Sequence, residues 1–257
     1  VEHTDFLAIL LDALRKRGMR YTDAAMVQNF AFEVPALLGP NPATDLVDIR
    51  LQDADVVLVR DDVVWHSPNA ANYSDNPTIY VGGQPLEITR GFASAVIEVK
   101  GKAYRIVSTH LTPKEEGEAE QLLQADELIA WLDGTTRPAF VMGDLNTAPG
   151  NTWTASYGKF TDAGFTDLWD LGAPVDPGPT CCQENDLLNP SSILDRRFDL
   201  VLYRDPAPLD GIGLTDAVQA ERLGVEPSEK TVSNLWPSDH AGVSVIARPI
   251  PGLGNQR

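Results

Sequence analysis

Apolar positions recur at helical spacing from Asp5 to Arg17. Phe6, Ile9, Leu10, Ala13 and Leu14 share one face, Thr4 can cap the start and Gly18 stops the run. A second helix is expected from Glu115 to Leu132, with Ala119, Leu122, Ala125, Ile129 and Leu132 on one face and Gly134 after it. Other segments read as strands. Asp55 to Arg60 is a short apolar run. Ala93 to Val99 alternates, and Tyr104 to Ser108 follows the turn at Lys100-Gly101-Lys102, which predicts a hairpin. Ala139 to Met142, Phe198 to Tyr203 and Gly242 to Ala247 complete the strands, and Trp153 to Trp169 is mixed, with a short helix. Three stretches carry turn chemistry instead. Asn29 to Asp48, with Pro35, Pro40 and Pro42, reads as a surface loop near the site; Asn69 to Pro77 is turn-rich; Pro174 to Pro190 is a long loop. Strands outnumber helices, and several are apolar on both faces. That pattern suits packed sheets covered by helices, an α/β class. No repeat, low-complexity run or linker divides the chain, so one domain over 1–257 is expected.

At 257 residues, 43% of them hydrophobic, the chain is long enough to bury a sizeable core. No apolar run approaches a membrane span. The net charge of −17 repels polyphosphate at long range and argues against a general nucleic-acid coat. It leaves nuclease activity open, because a bound divalent cation reverses the potential locally. The only two cysteines, Cys181 and Cys182, are adjacent. They form a vicinal ring or stay reduced, and no zinc-ligand spacing or nearby histidine surrounds them, so a structural role is expected.

Candidate chemistry collects at strand ends. His110 follows Ile106-Val107-Ser108-Thr109. Asp144 and Asn146 follow Val141-Met142-Gly143. Asp199 opens the strand of Arg197-Phe198-Asp199-Leu200, and Ser238-Asp239-His240 precedes the last strand. Singly, an Asp-X-Asn is a turn, a histidine after a strand is structural, and Ser-Asp-His is a helix start. Together, two His, three Asp and one Asn supply what phosphate-ester hydrolysis needs: cation ligands, a water activator, leaving-group stabilisation and donors to the charged transition state.

In their order and context these residues resemble the endonuclease/exonuclease/phosphatase superfamily. The matching pieces are Ser108-Thr109-His110-Leu111, Gln124-Ala125, Gly143-Asp144-Leu145-Asn146, Gly164-Phe165-Thr166-Asp167, Arg197-Phe198-Asp199-Leu200-Val201 and Ser238-Asp239-His240. The resemblance implies a four-layer α/β sandwich, with two mainly antiparallel sheets flanked by helices, and a Mg²⁺ or Mn²⁺ cofactor. It implies that His240 meets the scissile phosphate, that Asp199 orients it and that Asp239 binds the metal. Asp144 and Asn146 position water, phosphate or the leaving group, and His110 donates to a phosphate oxygen. The substrate is a phosphodiester or phosphomonoester. A nonspecific nuclease, with Arg50 and Arg90 on phosphates, and an inactive binding module are the alternatives. Thr180-Cys181-Cys182-Gln183 is similar to a bacterial, often exported, branch. The family also places an Asn and a metal-binding Glu on two earlier strands. Only Glu2 stands near that place, so the domain is expected to lack its first strands and to bind metal weakly.

Overall fold

A computed structural model describes residues 4–173, 175–206 and 218–248; Glu2 lies outside the described residues. Helix α1 (Phe6–Lys16) starts at Asp5, whose carboxylate accepts from the Ala8 amide at 2.9 Å, so Asp5 rather than Thr4 is its cap. Strands β1 (Tyr21–Leu37) and β2 (Leu46–Arg60) then form a long antiparallel ribbon, joined through the one-turn helix α2 (Pro42–Asp45). The loop expected from Asn29 to Asp48 is therefore largely strand. Pro35 sits opposite Asp48 in a two-stranded ribbon, where a missing amide donor is tolerated because one edge has no partner. A bulge between Gln28 and Ala31 interrupts the register and re-aims Asn29.

The central sheet has six strands. They are β3 (Val64–Asn72), β6 (Gly91–Val99), β7 (Lys102–Thr109), β8 (Ala139–Asp144), β9 (Thr166–Asp167) and β10 (Asp199–Arg204), in the order β3-β6-β7-β8-β10-β9. Strand β3 takes up part of the segment expected to be turns; a register shift between His66 and Asn69 keeps it paired with β6. A small hairpin, β4 (Thr78–Val81) and β5 (Gln84–Glu87), leads into β6. The sheet is antiparallel except at β7 and β8, which run parallel because α3 (Lys114–Asp133) crosses between them. A final ribbon pairs β11 (Gln219–Leu223) with β12 (Gly242–Ile246).

Alternation along the strands divides the core. Val107, Val141, Leu200 and Leu202 face the helix layer, packing with Ala125, Leu128 and Leu132 of α3 and Phe160 of α4 (Ser156–Asp162). On the opposite face, Ala93, Ala95, Ile97 and Ile106 pack on Val27, Val57 and Val59 of the β1–β2 ribbon. Farther along that face, Phe140, Val201 and Tyr203 pack with Leu168 of α5 (Leu168–Gly172), Val218 and Val245. The result is the expected α/β sandwich, with antiparallel ribbons as its second strand layer and helices outside. An apolar groove of about 470 Å³ crosses the ribbon-side face of β6, β7, β8 and β10, with β12 as one wall.

Candidate functional site

Parallel β7 and β8 bring their C-terminal ends together, and antiparallel β10 starts at that same end, so Asp199 lies directly opposite Asp144. Gly143 is what lets the strands close here. Its φ is +143°, and a Cβ would fall 1.9 Å from the Thr109 carbonyl oxygen, so no side chain fits. After β7, Gln124 and Gln121 of α3 fix the turn. Gln124 accepts from the Thr112 amide at 2.9 Å, and Gln121 donates to the carbonyls of Thr112 (2.8 Å) and Asn146 (2.7 Å). The resemblance at Gln124-Ala125 thus marks residues that hold two site loops in place.

His240 is placed from the other side. The Ala241 amide donates to the Thr180 carbonyl and the Gln183 amide to the Asp239 carbonyl, both at 2.8 Å, so the two segments run as a short antiparallel pair across Cys181 and His240. Asp199 Oδ2 lies 2.7 Å from His240 Nδ1, and Asp144 Oδ2 lies 3.9 Å from the same nitrogen. The second histidine approaches Asp144 too, with His110 Nε2 at 3.4 Å from its Oδ2. Asn146 is part of the turn. Its amide donates to Asp144 Oδ1 at 2.8 Å, its φ is +47°, and its side chain donates to the Leu111 carbonyl at 2.9 Å. Asp239 is exposed at the mouth, accepting from the Ser238 hydroxyl at 3.2 Å.

A part of the site that the strand-end pattern did not flag lies behind His110. Arg90 is buried and donates to His110 Nδ1 at 3.0 Å and to Asp53 at 3.3 Å, while Asn29 donates to Asp53 (3.1 Å) and Asp55 (2.9 Å). The bulge at Asn29 makes this possible, because it seats Asn29 against Asp53 across the ribbon. One continuous run therefore leads from Asn29 through Asp53, Arg90, His110 and Asp144 to His240 and Asp199.

The charges in this run are strongly biased. Burial, and then the neighbouring Arg90 charge, hold His110 down at about 4, so it is neutral near pH 7. With Nδ1 accepting from Arg90, its proton sits on Nε2 and faces Asp144. Burial works to lower His240 as well, but the hydrogen bond to Asp199 and the charges of Asp199, Asp144 and Asp239 outweigh it and raise His240 to about 9. Burial and the Asp199 charge push Asp144 above the usual carboxylate range. Burial likewise lifts Asp55 to about 6, against the Asn29 hydrogen bond. Carboxylates crowded this way favour a bound cation.

Cys181 and Cys182 are joined as a vicinal disulfide. A histidine distant in sequence is close by in space, since Cys182 Sγ lies 3.8 Å from His240 Nε2. The two residues are 58 positions apart, so local sequence carries no sign of the contact.

Comparison with known proteins bears on the fold and the family. No curated protein matches the sequence. The fold resembles truncated TDP2 of Caenorhabditis elegans at 14% identity and a TM-score of 0.55, covering 95% of this chain and 80% of that one. An endonuclease/exonuclease/phosphatase family protein from Leptotrichia buccalis gives 16% and 0.56 over 96% and 80%. D. rerio TDP2 complexed with single-strand DNA product gives 13% and 0.55 over 92% and 88%. The model of the Endonuclease/Exonuclease/phosphatase family matches residues 18–240, and the chain belongs to that family.

Proposed function

We propose that this protein is a divalent-metal-dependent phosphoesterase that cleaves a phosphodiester or phosphomonoester by water attack in the cleft of Asp144, Asp199 and His240. One observation carries the reading: the Asp199–His240 pair at 2.7 Å stands beside a second carboxylate, Asp144, raised toward neutrality. Family members are in general hydrolases of phosphate esters, and this cleft has the charge pattern that such chemistry uses.

Asp239, exposed next to His240, offers a carboxylate oxygen of the ligand type that Mg²⁺ or Mn²⁺ takes, whereas Asn146 is buried with its side-chain amide on the Leu111 carbonyl. When bound, the cation neutralises non-bridging phosphate oxygens and lowers the pKa of water. The remaining work falls to the side chains. Asp199 holds the Nδ1 proton of His240, so Nε2 faces the phosphate. With a pKa raised to about 9, His240 is an imidazolium at pH 7 and donates from Nε2 to a phosphate oxygen as charge develops. Asp144, lifted above the ordinary range, is a better proton acceptor for the attacking water than a free carboxylate. His110 donates toward Asp144 while Arg90 fixes its tautomer.

The nuclease alternative has one supporting observation, that a structural neighbour is titled as a complex with single-strand DNA product. Against it, Arg90 is buried and engaged with Asp53 and His110, and the chain carries −17. A short phosphate-ester substrate suits this cleft better than long polyphosphate. Hydrolysis of bis-p-nitrophenyl phosphate and p-nitrophenyl phosphate under Mg²⁺ and Mn²⁺ titration tests the reading. Cation-dependent turnover lost in His240→Gln supports it, and binding of phosphate esters without turnover at any cation concentration favours a binding module.

A further inference from the structure

We infer that reduced Cys181 and Cys182, with His240 Nε2, form an inhibitory site for a soft divalent cation of the zinc class, so that the redox state of the pair gates the catalytic cleft. The inference rests on the role of His240 proposed above, and it adds regulation to that same cleft.

Three donors of the right chemistry converge. One ligand atom from each of Cys181, Cys182 and His240 lies within 4.8 Å of the others, and Cys182 Sγ is already 3.8 Å from Nε2. Two sulfurs and an imidazole nitrogen select zinc-class ions over Mg²⁺, which takes oxygen. The carboxylates of the hydrolytic centre make the opposite selection. The proposed hydrolytic centre and the soft-donor site thus share His240, as a phosphate donor in the first and a cation ligand in the second.

The histidine is prepared as a ligand. Asp199 holds Nδ1–H at 2.7 Å, which fixes the ring and leaves Nε2 as the coordinating atom, the carboxylate–histidine arrangement of many zinc sites. The cysteine segment does not depend on the S–S bond for its place. The Cys181 amide donates to the Arg196 carbonyl at 2.8 Å, and the Cys181 carbonyl accepts from the Asp195 amide at 2.8 Å. Together with the Thr180–Ala241 and Gln183–Asp239 bonds, these hold the backbone of the cysteine segment beside His240 independently of the S–S bond.

The chemistry balances with a dithiol reductant. Two electrons and two protons pass from the dithiol to the Cys181–Cys182 disulfide, giving two thiols and leaving the dithiol as its own disulfide. Binding of M²⁺ then displaces one proton from each thiol, together with any proton on Nε2, and these go to solvent. Nε2 is then unable to donate to phosphate. In the disulfide state the sulfurs are poor ligands, and the cleft stays open to substrate.

The test uses the full chain with Co²⁺ as a spectroscopic probe and Zn²⁺ as inhibitor, after oxidation or after reduction by a phosphine. Reduced protein is expected to show a thiolate-to-cobalt charge-transfer band that saturates at one ion per chain and is displaced by Zn²⁺. The oxidised protein and Cys182→Ser should lack it. In hydrolysis assays with Mg²⁺ present, stoichiometric Zn²⁺ should suppress the reduced protein by about 100-fold, the contribution of one positioned proton-transfer group. The oxidised protein and Cys182→Ser should keep their activity. Absence of the band in the reduced protein, or equal zinc inhibition of Cys182→Ser, overturns the inference. If Cys182→Ser misfolds by circular dichroism, the oxidised and reduced wild-type protein give the same comparison. If no condition yields hydrolysis, the proposed function fails, and the cobalt titration decides the metal site by itself.

Discussion

Replacing Asp199 by Asn keeps the shape of the cleft and removes one charge from Nδ1 of His240. At 2.7 Å this is a charge-assisted hydrogen bond, of a kind that contributes about 1.5–3 kcal/mol. The raised pKa of His240 gives an independent measure of the same sign. Moving from the ordinary 6.5 to about 9 corresponds to about 3 kcal/mol at roughly 1.4 kcal/mol per pH unit. Asp144 and Asp239 also raise it and burial lowers it, so the net shift is a sum of opposed effects. The pH window follows from the sign. Because the folded-state pKa lies above the unfolded one, this stabilisation is fully present below about 6.5 and is lost as pH rises through about 9. Asp199→Asn should therefore destabilise the protein by about 1.5–3 kcal/mol at pH 6 and by much less at pH 10 in denaturant unfolding. The His240 ring should titrate well below 9 by NMR, and phosphoester hydrolysis should fall by about 100-fold or more. An unchanged His240 titration in the variant would refute the assignment of Asp199 as its partner.

Other expectations follow from neighbouring groups. Gly143→Ala should push β8 from the Thr109 carbonyl, costing about 1–3 kcal/mol in chemical denaturation and lowering hydrolysis with it, because Asp144 moves too. His110 is held neutral by burial and Arg90, so its contribution to stability is present above about 6.5 and lost as pH falls through about 4; His110→Gln should flatten that acid limb in a pH–stability series. Arg90→Met leaves Asp53 and Asp55 without their buried cation, and a loss of about 3–5 kcal/mol is expected by thermal or denaturant unfolding. A loss below about 0.5 kcal/mol would show that solvent screens the pair.

Much of the sandwich is visible in sequence because its strands announce themselves. Ile106 to His110, Val141 to Asp144 and Phe198 to Tyr203 are apolar runs with a polar residue at one end, and those ends meet at one edge of the sheet. Of the β1–β2 ribbon, only Asp55 to Arg60 reads as strand in the sequence. Its prolines at 35, 40 and 42 carry turn chemistry, and only an unpaired ribbon edge makes Pro35 acceptable in a strand. The part that Asn29, Asp53 and Asp55 play beside the site carries no sequence sign, since a bulge rather than a motif brings them together. Asn146 was seen as a site residue, but its spacing from Asp144 makes a turn rather than a continued strand. The cysteine pair was separated from His240 by 58 residues, and only the backbone pairing across Cys181 and His240 reveals the contact.

The most direct measurement is steady-state hydrolysis of a generic phosphodiester by the full reading frame encoding this chain, with Mg²⁺ or Mn²⁺ titrated against EDTA and His240→Gln run in parallel. Turnover that appears with the cation, vanishes with the chelator and falls by about 100-fold or more in His240→Gln is the expected result. Turnover indifferent to the cation, or equal in wild type and His240→Gln, would contradict the assignment of this cleft as the hydrolytic centre.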